Sequence, residues 1–259
     1  MDGRIRIGMC MGLDQVPSLA PGYDYVELGV SGTLIPLEDD PTYAPTADTL
    51  LTLEPPVRAF NLYLPGSIKI TGPDVDWDLV QRYSRRAMQR AQEAGATVIV
   101  VGSGGARSVP DGFSHALAWG QLVRAFNIIG DEAIERDITV AIEPLNTKDC
   151  NIINSYVEGV SLARDVDHTA VRVLADIYHF MMDAEPVDDI LTGPQWLAHV
   201  HLADTGRRFP GSGTYPLPRL FAILKEISYT GMASIECLWG ADFADESGRA
   251  LGFLRTLLA

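Results

Sequence analysis

The sequence predicts a single (β/α)8 barrel, and three observations carry that prediction. Eight short apolar runs rich in β-branched residues recur along the chain, at 4–9 (RIRIGM), 24–28 (DYVEL), 57–62 (VRAFNL), 97–102 (TVIVVG), 138–143 (ITVAIE), 171–176 (VRVLAD), 198–202 (AHVHL) and 232–238 (MASIECL). Stretches with helical periodicity lie between most of them, and strands that alternate with helices pair in parallel. The length of 259 residues is close to the roughly 250 that one such barrel uses. A chain of this size buries most of its unfolded surface without a disulfide or a structural metal.

The first crossover, residues 10–23, is short and broken by Pro and Gly, so a degenerate first helix is expected. Trp77, Val80, Tyr83, Ala87, Ala91 and Ala94 follow i, i+3/i+4 spacing after an Asp76 cap, and Gly95 stops that helix. Leu117, Leu122, Phe126, Ile129 and Ala133 form a second stripe, and Leu220, Ile223, Leu224 and Ile227 a third. The Pro/Gly-rich stretches at 64–74 and 206–218 read as loops that follow strands. With no repeat, low-complexity tract or linker, residues 1–259 form one domain.

Composition narrows the function. Twenty Lys and Arg against 34 Asp and Glu leave a formal charge of −14, which excludes a phosphate-binding surface of clustered cations and hence a nucleic-acid partner. No polybasic run addresses a membrane surface, and no stretch of about 18 apolar residues could span one. Cys10, Cys150 and Cys237 have no CxxC spacing and suit a reducing compartment. The opening MDGRIRIGMC lacks an apolar leader segment. A cytoplasmic protein is expected.

In such barrels chemistry sits where the strands end. Four consecutive strands, the fifth to the eighth, end in Glu143, Asp176, His201 and Glu236. Side chains alternate along a strand, so Ile142, Ala175, Val200 and Ile235 face the helices and the four polar residues face the axis. Buried carboxylates need a counter-ion. Three oxygen donors with one imidazole suit Mn²⁺, Mg²⁺ or Co²⁺ better than a thiolate-rich zinc site. His199 shares the phase of His201 one layer deeper, as an orienting partner or as core. Glu27, ending the second strand, reads as a structural hydrogen-bond partner. His115 and His168 read as solvated.

IEPLN at 142–146, DIYH at 176–179, HVHLADTGR at 199–207 and SIE at 234–236 resemble the xylose isomerase-like TIM barrel superfamily of sugar phosphate isomerases and epimerases. Within it the motifs are most similar to ketose 3-epimerases of the D-tagatose/D-psicose type, over essentially the whole chain. The resemblance implies one divalent metal, Mn²⁺ first, held by Glu143, Asp176, His201 and Glu236. It also implies proton abstraction next to a carbonyl through a metal-stabilised cis-enediolate, with Glu143 and Glu236 as the two catalytic carboxylates on opposite faces of a sugar. His179 and Arg207 then contact substrate oxygens near the carbonyl. Asp149 stands where those epimerases usually carry a Glu that touches substrate or metal-bound water, and Lys148 where an aromatic is common. By superfamily analogy the assembly is a homo-oligomer, a dimer or tetramer.

The four-residue set fits three rivals as well: a hydroxypyruvate-type or aldose–ketose isomerase, an inosose-type dehydratase, and a non-catalytic sugar-binding barrel. An apurinic endonuclease would need more metal ligands and a basic groove, against five histidines and the acidic charge. Arg107 in GSGGAR, and Arg208, leave a phosphate or carboxylate on the substrate open. Phe60, Tyr63, Phe180 and Trp239 are candidates for an apolar wall under the sugar.

Overall fold

Eight parallel strands close on themselves in sequence order in the computed structural model, which describes residues 4–259; the first three residues of the N-terminal reading lie outside them. The strands are β1 (Arg6–Cys10), β2 (Tyr25–Gly29), β3 (Val57–Asn61), β4 (Val98–Val101), β5 (Thr139–Ile142), β6 (Val171–Asp176), β7 (Leu197–Leu202) and β8 (Met232–Ile235). Each starts within two residues of the apolar run that predicted it. The last ends earlier than expected, at Ile235. Glu236 N still donates to Leu202 O at 2.9 Å, but Leu238 N donates to Arg207 O at 2.6 Å, so the chain has turned off the barrel to meet the loop after β7.

Helices α1 (Asp40–Leu51), α2 (Trp77–Glu93), α3 (Gly104–Arg107), α4 (His115–Ile134), α5 (Tyr156–Val166), α6 (Ile177–Met182), α7 (Leu217–Glu226) and α8 (Phe243–Leu258) surround the strands. The first crossover holds only a 3-10 turn, Leu13–Ser18, because Pro17 and the flanking glycines deny it a regular helix. Asp76 caps α2 by accepting from Leu79 N at 2.9 Å, and Gly95 follows it at φ +83°, the left-handed residue that ends a helix. The α4 stripe is corrected at one place. Leu117 is 62% exposed; it lies five residues before Leu122, off the helical phase, and Ala118 takes the inward position.

Two layers result. Outward-facing residues such as Ile142, Ala175, Val200 and Ile235 join the large core beneath the helices. Inward-facing Tyr25, Ala59, Val98, Val100, Ala141, Leu174 and Met232 fill the barrel interior. Gly8 makes room for that filling, since a Cβ there would lie 2.2 Å from the Tyr25 ring. The interior is therefore a packed plug that ends in polar residues only at the strands' C-terminal mouth.

Candidate active site

Strand alternation delivers the four expected residues to one place. Asp176 and His201 are in register across β6 and β7, and Glu143 and Glu236 follow the ends of β5 and β8. One donor atom from each of Glu143, Asp176, His201 and Glu236 lies within 4.8 Å of all the others. His201 Nδ1 is 3.3 Å from Glu143 Oε1 and 3.8 Å from Glu236 Oε2. His201 is fully buried and Asp176 nearly so, yet His201 Nδ1 and Asp176 Oδ2 have no hydrogen-bond partner. A buried polar atom without a partner costs about 1–3 kcal/mol. Two such atoms clustered with the carboxylates of Glu143 and Glu236 make a site that a divalent cation would satisfy, and the donor set of three carboxylates and one imidazole fits a hard cation.

Behind the four-residue cluster, Glu27 anchors the histidines. Its Oε1 accepts from His201 Nε2 at 3.0 Å; its Oε2 accepts from His199 Nε2 at 2.8 Å and from Ser234 Oγ at 2.6 Å. Tyr25 extends the chain through a 2.7 Å bond to Ser234. With Nε2 protonated and held by Glu27, His201 turns Nδ1 to the other three donors. Burial would raise the Glu27 carboxyl, but His201 and His199 outweigh it and hold it well below the carboxylate range. His199, buried and unpartnered at Nδ1, is pushed down and stays neutral. Both readings of His199 hold together: it is core, and it braces Glu27. Glu27→Gln is expected to weaken Mn²⁺ binding about 10–100-fold while preserving the fold, measured by calorimetric titration of the chelated protein. Unchanged affinity would remove Glu27 from this role.

Cys10 Sγ lies 3.9 Å from His201 Nε2, but that nitrogen is engaged by Glu27, and burial keeps the Cys10 thiol protonated. The imidazole nitrogen that faces the carboxylates is Nδ1.

His179 and Arg207 flank the cluster. Asn146 donates from its backbone N at 3.1 Å to His179 Nδ1, with Nδ2 2.7 Å away. Nδ1 is therefore an acceptor and Nε2 carries the proton, 3.6 Å from Asp176 Oδ2. Arg207 donates to Glu236 Oε2 at 2.7 Å and lies over the Tyr178 ring at 4.5 Å. Asp149 sits apart from the four donors. It accepts from Asn146 Nδ2 at 2.7 Å and is 3.9 Å from His179 Nδ1, so its carboxylate stands behind the histidine.

The two glutamates have opposite protonation tendencies. Burial would raise Glu143, but His201, with His179 and Arg107 further off, outweighs it and lowers the carboxyl. Glu236 is pushed up to about 7 by burial and by Glu143 and Asp176, against the pull of His201 and Arg207. Burial would lower His201, but Glu27 foremost raises it well above its ordinary value. Protons on Glu236 and His201 compete with a cation. Mn²⁺ affinity is therefore expected to rise with pH through the neutral range with net proton release, read by calorimetry in buffers of different ionisation enthalpy. Affinity that does not change with pH would contradict this electrostatic picture.

Several sequence readings change. Phe60, Tyr63 and Phe180 are buried in the outer core, Tyr63 edge-on to Tyr83 and Phe180 against Tyr156; Trp239 stacks on Phe209. None of these four lines the cavity beside Glu236. His168 is not solvated: it packs where a Cβ on Gly130 would stand and accepts from Ala170 N at 3.1 Å. Arg107, fully buried, fixes its loop by reaching Val101 O and Ile153 O, and Arg208 pairs with Glu246. The three cysteines are free. Glu27 is the hydrogen-bond partner the sequence reading expected, with His199, His201 and Ser234 as its donors; Asn146 and Tyr178 gain site roles that sequence reading did not assign, although they lie inside the IEPLN and DIYH motifs.

The sequence profile described as "Xylose isomerase-like TIM barrel" matches residues 19–257, and the chain belongs to that family. A D-psicose 3-epimerase of Agrobacterium fabrum is 33% identical over 115 residues, 44% of this chain and 40% of that protein. A probable ketose 3-epimerase of Synechocystis is 27% identical over 184 residues, 68% of this chain and 63% of that one. The aligned segments thus span less than two thirds of these relatives. In structure, the D-psicose 3-epimerase of Clostridium cellulolyticum H10 with D-tagatose superposes at TM-score 0.83 and 18% identity, covering 98% of this chain and 99% of that one. That likeness establishes the shared barrel. No helix of the described residues is long and apolar enough to cross a membrane.

Proposed function

We propose that this chain is a metal-dependent ketose 3-epimerase, cytoplasmic and assembled as a dimer or tetramer. The observation that carries the reading is the pair Glu143 and Glu236. They arrive from the outermost of four consecutive strands, converge on one buried point, and are pulled to opposite protonation tendencies. Inversion at a carbon beside a carbonyl needs one group to remove a proton and another to return one to the opposite face.

Glu143, Asp176, His201 and Glu236 would hold the cation, with Mn²⁺ the first choice and Mg²⁺ or Co²⁺ alternatives for this oxygen-rich set. When bound, the metal supplies Lewis acidity beside the substrate carbonyl, an effect of several kcal/mol on developing negative charge. Glu143, kept ionised, takes the C3 proton. Glu236, able to carry a proton near neutral pH, returns one from the other face, and the two exchange roles in the reverse reaction. His179 Nε2–H points into the site with its tautomer set by Asn146 and can donate to a substrate oxygen. Arg207, fixed by Glu236 and Tyr178, adds positive charge at the same end, while Asp149 holds Asn146 in place.

The direct test is product analysis with Mn²⁺-loaded protein and D-fructose, D-tagatose and hydroxypyruvate. Formation of the C3 epimers, lost on chelation and restored by Mn²⁺, supports the epimerase. Aldose products or tartronate semialdehyde would make it an isomerase, and loss of water a dehydratase.

A further inference from the structure

Away from the barrel mouth, a cavity of ≈410 Å³ lies between α2 and the segment 36–40 that leads into α1. Arg82, Arg85 and Arg86 of α2 line it. They stand at i, i+3 and i+4, so they share one face of the helix, and like charges at that spacing work against it. In a chain of formal charge −14, such a cluster runs against the general balance.

Acids are close by, yet they leave most of these N–H groups without partners. Arg82 makes no hydrogen bond or ion pair among the described residues. Arg85 uses its Nε alone, on Glu132 Oε1 at 3.1 Å, and Glu132 is also held by Gln81 and Arg136. Arg86 uses its Nη1 alone, on the carbonyl oxygens of Pro36 at 3.3 Å and Glu38 at 2.9 Å. Asp40, the one carboxylate among the described residues that line the cavity, is 2.8 Å from Arg90 Nη2. Asp39 caps α1 by accepting from Thr42 N. The cavity therefore presents three guanidinium groups with donors left over.

Guanidinium forks match the oxygens of phosphate. A carboxylate brings one charge and two oxygens, whereas a phosphate monoester brings nearly two charges and three terminal oxygens, enough to engage three arginines. Leu37, 56% exposed, and Leu79 add an apolar wall, and the volume falls within the roughly 300–1,000 Å³ of small-molecule sites. A long polyanion would run onto the acidic surface beyond, while a compact one meets chiefly these arginines, since charges more than about 10 Å away are screened.

We propose that this cavity is a binding site for a small phosphate monoester, separate from the cluster of Glu143, Asp176, His201 and Glu236. Arg82, Arg85 and Arg86 hold the phosphate, and Leu37 and Leu79 take the apolar body.

The test is calorimetry on the Mg²⁺-loaded full chain with phenyl phosphate, inorganic phosphate and phenol, paired with sedimentation of the parent and of Arg82→Ala and Arg82→Glu. Both phosphates are expected to bind, more weakly as salt rises, and phenol much more weakly than its phosphate. Arg82 is exposed, so both variants keep the fold. Arg82→Ala is expected to weaken phenyl phosphate about fivefold, the effect of one charge pair in a wet cleft, and Arg82→Glu about 25-fold, the same effect taken twice. Absence of binding by either phosphate overturns the proposal, as does affinity unchanged in Arg82→Glu, which would put the phosphate elsewhere, such as on the metal. An oligomeric parent that Arg82→Glu converts to monomers would show a second copy covering the cavity, and that too overturns it.

Discussion

Glu236→Gln is expected to lower turnover of the Mn²⁺-loaded chain by about 10²–10⁴-fold, the usual contribution of one acid–base group, while thermal unfolding stays close to that of the parent. Glutamine keeps the shape and an oxygen for the metal but neither accepts nor returns a proton at C3. It can still hold Arg207 through its carbonyl oxygen, where Glu236 Oε2 now accepts at 2.7 Å. The site would thus stay assembled and fail only in the chemistry. Measuring kcat and KM with Mn²⁺ saturating separates the two: kcat should fall and KM should change little. A variant with near-parental kcat would remove Glu236 from proton transfer.

The second large loss is expected at a residue with no side chain. Gly102 follows β4, and a Cβ there would stand 2.1 Å from Glu143 Oε2 and 3.1 Å from Glu143 Cδ. Gly102→Ala must therefore push the Glu143 carboxylate away from His201 Nδ1, from which Oε1 is now 3.3 Å. A displacement of about 1 Å at a reacting group can cost about 10²-fold in rate, so a loss of at least that size is expected, with weaker Mn²⁺ binding. The backbone at Gly102 is not in the left-handed region, so alanine is tolerated conformationally and overpacking costs about 1–3 kcal/mol. Steady-state rates with a calorimetric Mn²⁺ titration check this. Parental activity with parental affinity would show that the Glu143 rotamer seen here is not the working one.

Much of this architecture is legible in the sequence because closed parallel barrels write it twice. The strands are buried on both faces, so each stands out as a largely apolar run, and the acidic or imidazole side chain at or just beyond the C-terminal end of β5, β6, β7 and β8 stands out against it. Period-two alternation then places Glu143, Asp176, His201 and Glu236 on the axis without any coordinates. What was not legible depends on closure. Glu27 lies within β2 and meets His199 and His201 on β7 only because the sheet wraps round; nothing along the chain relates positions so far apart. The proton position on His179 depends on Asn146 folding back onto it, a loop geometry that residue spacing does not encode. The aromatic wall failed for a related reason. Phe60 falls on the outward phase of β3, and Tyr63 and Phe180 lie beyond strand ends in segments whose direction is set by packing.

Solvent-deuterium exchange tests the central claim most directly: that two carboxylates around one cation move the proton at C3 of a ketose. Manganese-loaded protein is incubated with D-fructose and D-tagatose in D₂O, the metal is removed with chelator, and the sugars are read by NMR. The account predicts deuterium at C3 in substrate and epimer alike, absent without metal and absent in Glu236→Gln. Deuterium at C1, or no exchange anywhere with the metal tightly bound, would contradict it.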